Sequence, residues 1–163
     1  MNHSYYIAFW SPSPIFTSDL CMDYFSSFFQ KYGDIRCLDC KDDRDRRTLR
    51  LMQQADLVVI ALPQDEEARN GLLCESSLRF SNYIILIPDY VPDPEFNLSK
   101  ISSVWRIPKA RLACIPYHPT LRNGAGKNKN TPKKRFSYLC AGSLDLKYEL
   151  SLSAKKMLQA LGF

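Results

Sequence analysis

The chain has 163 residues, with 22 Lys and Arg against 17 Asp and Glu, a formal charge of +5. Its 45% apolar and 24% charged content is that of an ordinary globular protein and excludes a disordered or fibrous one. One domain is expected, large enough for a core without disulfides or metals, and the longest apolar runs, Leu57–Leu62 and Tyr83–Ile87, are too short for a bilayer span.

Tyr5–Trp10 (YYIAFW) reads as a strand, broken by Ser11-Pro12-Ser13-Pro14. Thr17 or Ser18 then caps a helix expected to reach about Tyr32. Leu20, Phe25, Phe28 and Phe29 form its apolar side, and Gly33 stands at the C-terminal glycine position. Ile35–Asp39 is a short strand. The charged run Lys41–Arg47 leads into a helix ending near Gln54, with Leu49 and Met52 inward. Asp56–Leu62 is the β-branched run of a strand buried on both faces, closed by Pro63.

Residues 65–80 have helical spacing, weakened by Gly71. Asn82–Ile87 is a further buried strand, closed by Pro88 and followed by a loop with Asp89, Asp93 and Glu95. Phe96–Arg106 reads as a short helix and Arg111–Ile115 as a strand closed by Pro116. From Pro119 to Phe136 periodicity stops. Arg122, Lys127, Lys129, Lys133, Lys134 and Arg135 make this stretch a basic loop without acids, whose positive patch suits DNA, anionic lipid or an acidic partner. Leu144–Leu161 is the last helix, with Leu150, Ala154, Met157, Leu158 and Leu161 at helical spacing. The alternation predicts an α/β fold of three layers, P-loop NTPase-like or Rossmann-like, with helices on both faces of a mostly parallel sheet. Ligands of such sheets bind at the C-terminal strand ends, here the loops after Trp10, Asp39, Leu62, Ile87 and Ile115.

The N-terminus has no basic start, so no secretory signal is expected and the location is read as cytoplasmic. Cys21, Cys37, Cys40, Cys74, Cys114 and Cys140 then behave as small buried hydrophobes. Cys37 and Cys40 form a C-x-x-C, but neither His3 nor His118 completes a zinc set. The first loop, SPSPIFTS, has no glycine or lysine to hold a phosphate, and its prolines remove donors. Gly126-Lys127 lacks both the earlier glycine and the following hydroxyl of a phosphate loop.

Five segments together resemble the MinD/ParA family of P-loop ATPases, especially its divergent CpaE/TadZ-like members. They are IAFWSP (Ile7–Pro12), TSDL (Thr17–Leu20), ADLVVIALPQDEE (Ala55–Glu67), NYIILIPDYVPDPEFNLSKIS (Asn82–Ser102) and IPKARLACIPYHPTL (Ile107–Leu121). The resemblance implies a nucleotide site in which Thr17 and Ser18 stand near the metal-binding hydroxyl. Asp39 matches the acid ending the second strand, Asp89 faces the adenine amino group, and Pro116 and Tyr117 line the other side of the base. The chain departs from the family in lacking the Walker A glycines and lysine, and it has no room for Walker B between Asp39 and Asp56. What the resemblance then implies is a degenerate, non-catalytic homologue acting as a binding or scaffold module. No cofactor is expected, and ATP or ADP binding is weak. A protein partner leads, with nucleic acid through the basic loop, a homodimer, and no stable membrane insertion. Two alternatives stand beside it: a nucleotide sensor or enzyme with a nonstandard phosphate site, and a receiver-like or flavodoxin-like module.

Overall fold

The computed structural model describes residues 4–12, 19–64, 70, 80–91, 97–117 and 144–163. In chain order these form β1 (Tyr5–Trp10), α1 (Asp19–Phe29), β2 (Ile35–Asp39), α2 (Arg46–Gln54), β3 (Leu57–Ala61) and β4 (Tyr83–Tyr90). α3 (Leu98–Trp105), a 3₁₀ turn (Lys109–Arg111), β5 (Leu112–Pro116) and α4 (Leu144–Leu161) follow. The helix expected over 65–80, apart from residues 70 and 80, and the whole basic loop lie outside the described residues.

The five strands pair in the order β2-β1-β3-β4-β5, all parallel. Apolar residues run on continuously because successive side chains enter opposite cores. Ile7, Phe9, Leu57, Val59, Ile84 and Leu86 pack with α1 and α4, while Ala8, Trp10, Val58, Ile60, Ile85 and Ile87 pack with α2 and α3. The fold is the expected three-layer α/β arrangement, with the sheet wholly parallel.

Crossovers between parallel strands are right-handed. With α1 on one face and α2 and α3 on the other, the winding therefore reverses between β1 and β3. That reversal defines a doubly wound sheet, and the 2-1-3-4-5 order is the flavodoxin-like version of it.

Several boundaries differ from the sequence reading. α1 ends at Phe29, not Tyr32, because the chain tightens into three-residue bonds from Lys31 N–H to Phe28 O (3.3 Å) and Tyr32 N–H to Phe29 O (2.9 Å). Pro88 does not close β4. The strand continues to Tyr90 through an irregularity between Ile87 and Tyr90, where Asp89 takes a left-handed φ of 51°. A bulge is where a strand tolerates a residue without an N–H. Pro116, likewise, is the last residue of β5 and sits opposite Tyr90. In α2, Leu49 and Met52 pack against the same core as expected, Leu49 half-buried, and Thr48 is buried beside them.

The outer edge of β5 is covered. Tyr117 N–H donates to Tyr90 O (3.0 Å), so the even-numbered carbonyls of β5 point away from β4. α4 reaches two of them: Ser153 Oγ donates to Cys114 O at 2.7 Å and Lys156 Nζ to Leu112 O at 2.6 Å. This blunts an edge that otherwise templates another strand. Asn82 Nδ2 ties the far end of the same helix, donating to Ala160 O (2.8 Å) and Asp56 O (3.0 Å). No helix among the described residues is long and apolar enough to cross a membrane.

Candidate functional site

The candidate site is the C-terminal edge of the sheet, above all the switch point between β1 and β3. Ser11 is the first residue beyond β1 and is 2% exposed. Its N–H donates to Lys41 O (2.8 Å) and its Oγ to Ala61 O (3.2 Å), so one residue fastens the ends of β1 and β3 to the loop after β2. The same loop folds over the end of β1. Trp10 Nε1 donates to Asp43 O (2.9 Å), and Arg44 Nη2 donates to Pro12 O (3.0 Å). The Arg44 guanidinium also lies 5.8 Å from the centroid of the Trp10 ring, within cation–π range.

At the other side of the edge, the ends of β3, β4 and β5 are knitted by backbone and amide contacts. Gln64 and Val91 exchange two bonds of 3.0 Å, side-chain amide to backbone in both directions. Tyr90 Oη accepts from Leu98 N–H (3.2 Å), which ties the strand end to α3. Tyr117 remains 47% exposed beside this knot.

Of the residues singled out from sequence, Asp89, Pro116 and Tyr117 come together on the adjacent strands β4 and β5. Asp39 ends β2, three strands away from β4, or about 14 Å along the edge at the usual strand spacing. Its Oδ1 accepts the Lys41 N–H (3.1 Å) and so shapes the turn that carries Lys41 at φ 50°. Thr17, Ser18 and the basic patch Arg122, Lys127, Lys129, Lys133, Lys134 and Arg135 lie outside the described residues. Ser11, Arg44 and Gln64 were not singled out. A buried-strand end followed by serine was the signal for Ser11. Arg44 was hidden within a charged run whose members look alike.

The C-x-x-C pair is split by the sheet. Cys37 packs against the α1/α4 core and Cys40 belongs to the α2/α3 core, so the two thiols do not meet. Burial pushes both up to about 11, and Asp39 and Asp43 add to the effect at Cys40. Burial raises Cys114 as well. Such thiols are packing groups, not nucleophiles. Cys74 and Cys140 are outside the described residues. Among those residues no group of three His, Cys, Asp or Glu side chains is arranged to hold a metal ion.

No protein-family model matches the chain, and no curated protein matches it. Among solved structures it is similar to the crystal structure of the flavodiiron protein from Giardia intestinalis, at 8% identity and a TM-score of 0.33. The match covers 94% of this chain and 37% of that one, so the chain spans little more than a third of that protein's length. A likeness at that level carries no argument about function. The strand order and register themselves establish what the chain is architecturally: a five-stranded, all-parallel, doubly wound α/β sheet.

Proposed function

We propose that the chain is a binding or scaffold module that uses the C-terminal edge of its sheet for recognition and performs no bond-making step of its own. Ser11 carries this reading. In doubly wound sheets the ligand enters the crevice at the switch point. Here the donors of Ser11 are turned inward to Ala61 and Lys41, and Arg44 closes over Trp10 onto the Pro12 carbonyl. A phosphate entering there must displace hydrogen bonds worth about 0.5–1.5 kcal/mol each.

The resemblance to the MinD/ParA ATPases supports the same reading as a degenerate homologue, since SPSPIFTS has neither glycine nor lysine. The role it suggests is positioning of a secretion, pilus or conjugation machine, or partition of DNA. In this reading a protein partner meets the edge at Asp89, Pro116 and Tyr117, and ATP or ADP binds weakly. A homodimer and a nucleic-acid contact through Arg122–Arg135 are further associations it admits.

A second reading rests on the strand order, which is that of flavodoxin-like modules with a flavin at the same switch point. One thermal-shift experiment with ATP, ADP and FMN separates the two. A ligand at 100-fold over its Kd adds about 2.7 kcal/mol, or roughly 5–11 °C for a domain of this size. At about 1 mM ligand, which does not bring weak nucleotide binding to 100-fold over Kd, the binding-module reading expects no such shift from any of the three, and no ATP turnover above a mock purification. A shift of several degrees with FMN alone selects the second reading. Micromolar ATP binding with turnover overturns both.

A further inference from the structure

The solvent side of α2 carries arginine. Arg46, Arg47 and Arg50 are all exposed, and the helix contains no acidic residue. Arg46, Arg50 and Gln54 form one row at four-residue spacing, and Arg47 and Leu51 form the next. Two of these positions work against the helix. Arg46 and Arg47 stand in its first turn, at the positive end of the dipole, and Arg46 repels Arg50 one turn away. Among the described residues neither Arg46 nor Arg50 makes an ion pair. Arg44 is different, being held to Pro12 and the Trp10 ring. Locally unfavourable residues on a face without a packing task mark a surface kept for binding.

The apolar component narrows the partner. Leu51 is 40% exposed and lies one turn from Arg47, with Gln53 and Gln54 adding neutral hydrogen-bonding groups. Guanidinium groups match carboxylates in a two-pronged fork, and an apolar contact beside arginines is the anatomy of a protein interface. A nucleic-acid backbone would satisfy the arginines but leave Leu51 against hydrated phosphate. We propose that this face of α2 docks an acidic amphipathic segment of a partner protein, its carboxylates on Arg46, Arg47 and Arg50 and one apolar side chain against Leu51. The inference concerns the outer face of α2, whose first turn adjoins the strand-end edge, and does not rest on the function proposed above.

The test is a random-peptide display selection on the whole chain, counter-selected with the Arg46→Glu/Arg50→Glu variant. That variant places an acid in the first helical turn, where the dipole favours it, so it is expected to fold at least as well; circular dichroism checks this. Enriched peptides should carry two or more Asp or Glu at helical spacing around an apolar residue. In fluorescence anisotropy their affinity should fall about tenfold in the charge-reversed variant and about threefold in Leu51→Ala, and weaken as salt rises. Arg46→Lys/Arg50→Lys should retain most of the binding. Enriched peptides without acids, equal binding to wild type and the charge-reversed variant, or loss of binding in Tyr117→Ala instead would each overturn the proposal. So would a duplex DNA that binds α2 more tightly than the peptides at about 150 mM salt.

Discussion

On the α1/α4 side of the sheet, Phe9, Phe25 and Phe29 stack with centroids 5.6 and 6.1 Å apart, and Ala154 and Met157 fill the space beside them. On the other side, α2 contributes Thr48 and Met52 as its buried side chains, beside Trp10, Ile101 and Trp105. The strands feed both cores with the same kinds of residue, so the difference comes from the helices. α1 brings four aromatics within its eleven residues, and α4 runs for eighteen. α2 is nine residues long and mostly polar. One face stores stability. The other holds α2 through a cap, Thr48, Met52 and the half-buried Leu49, which leaves its outer surface to arginine.

Truncation tests this asymmetry most severely. Phe25→Ala is expected to cost about 4 kcal/mol and Met52→Ala about 2–3 kcal/mol, each read from urea midpoints. Equal costs would mean that α2 is anchored as firmly as α1. Ser153→Ala comes next, at about 1 kcal/mol. Because it uncovers the Cys114 carbonyl on the β5 edge, light scattering on mild heating should also rise earlier than for wild type.

The caps of α2 and α3 sharpen the comparison within one face. Asn97 accepts from Lys100 N–H at 3.0 Å, and Asn97→Ala should cost about 1 kcal/mol at any pH. Asp45 does the same for α2, but it titrates. The Thr48 backbone N–H, helped by the Thr48 side chain and Arg47, lowers its pKa from the ordinary 3.8. A lowered carboxylate stabilises the fold fully above 3.8 and loses that contribution as pH falls through the depressed folded value. Amide exchange should therefore show α2 losing protection on acidification before α3 does. Simultaneous loss would contradict a separately held α2.

The smallest expected effect is on the thiols. With Cys37 and Cys40 near 11, only about 0.1% of each is thiolate at pH 8, and iodoacetamide labelling should be correspondingly slow. Cys40 lies in the core beneath α2 and Cys37 against the α1/α4 core. Mass spectrometry should accordingly find Cys40 labelled first under conditions that loosen α2. Faster labelling of Cys37 would reverse the ranking of the two faces.

How much of this was legible in the sequence follows from the range of each interaction. Runs such as Leu57–Ala61 and Ile84–Ile87 announced strands buried on both sides, because local composition reports double-sided burial. Phe25, Phe29 and Met157 declared their faces through helical spacing. The strand order was not legible, since it depends on which distant segments pair. The prolines misled for a related reason: whether Pro88 ends a strand depends on whether its neighbour needs an N–H, and the bulge removes that need. In the candidate site, Asp89, Pro116 and Tyr117 gathered because β4 and β5 are adjacent, whereas Asp39 stayed apart with β1 and β3 between. The Ser11 and Arg44 ties join residues 30 or more positions apart; a serine after a buried strand marks the first only as a strand end, and no local pattern encodes the second.

The cover that α4 gives β5 also has a meaning in time. β5 leaves the ribosome well before Ser153 and Lys156 do, and at ordinary synthesis speeds the delay to the end of α4 is roughly two to nine seconds. Through that interval a nascent chain that has already assembled its parallel strands displays the Leu112 and Cys114 carbonyls to any neighbouring polypeptide. The late helix thus leaves the β5 edge uncovered for part of biosynthesis, until its hydroxyl and ammonium groups arrive.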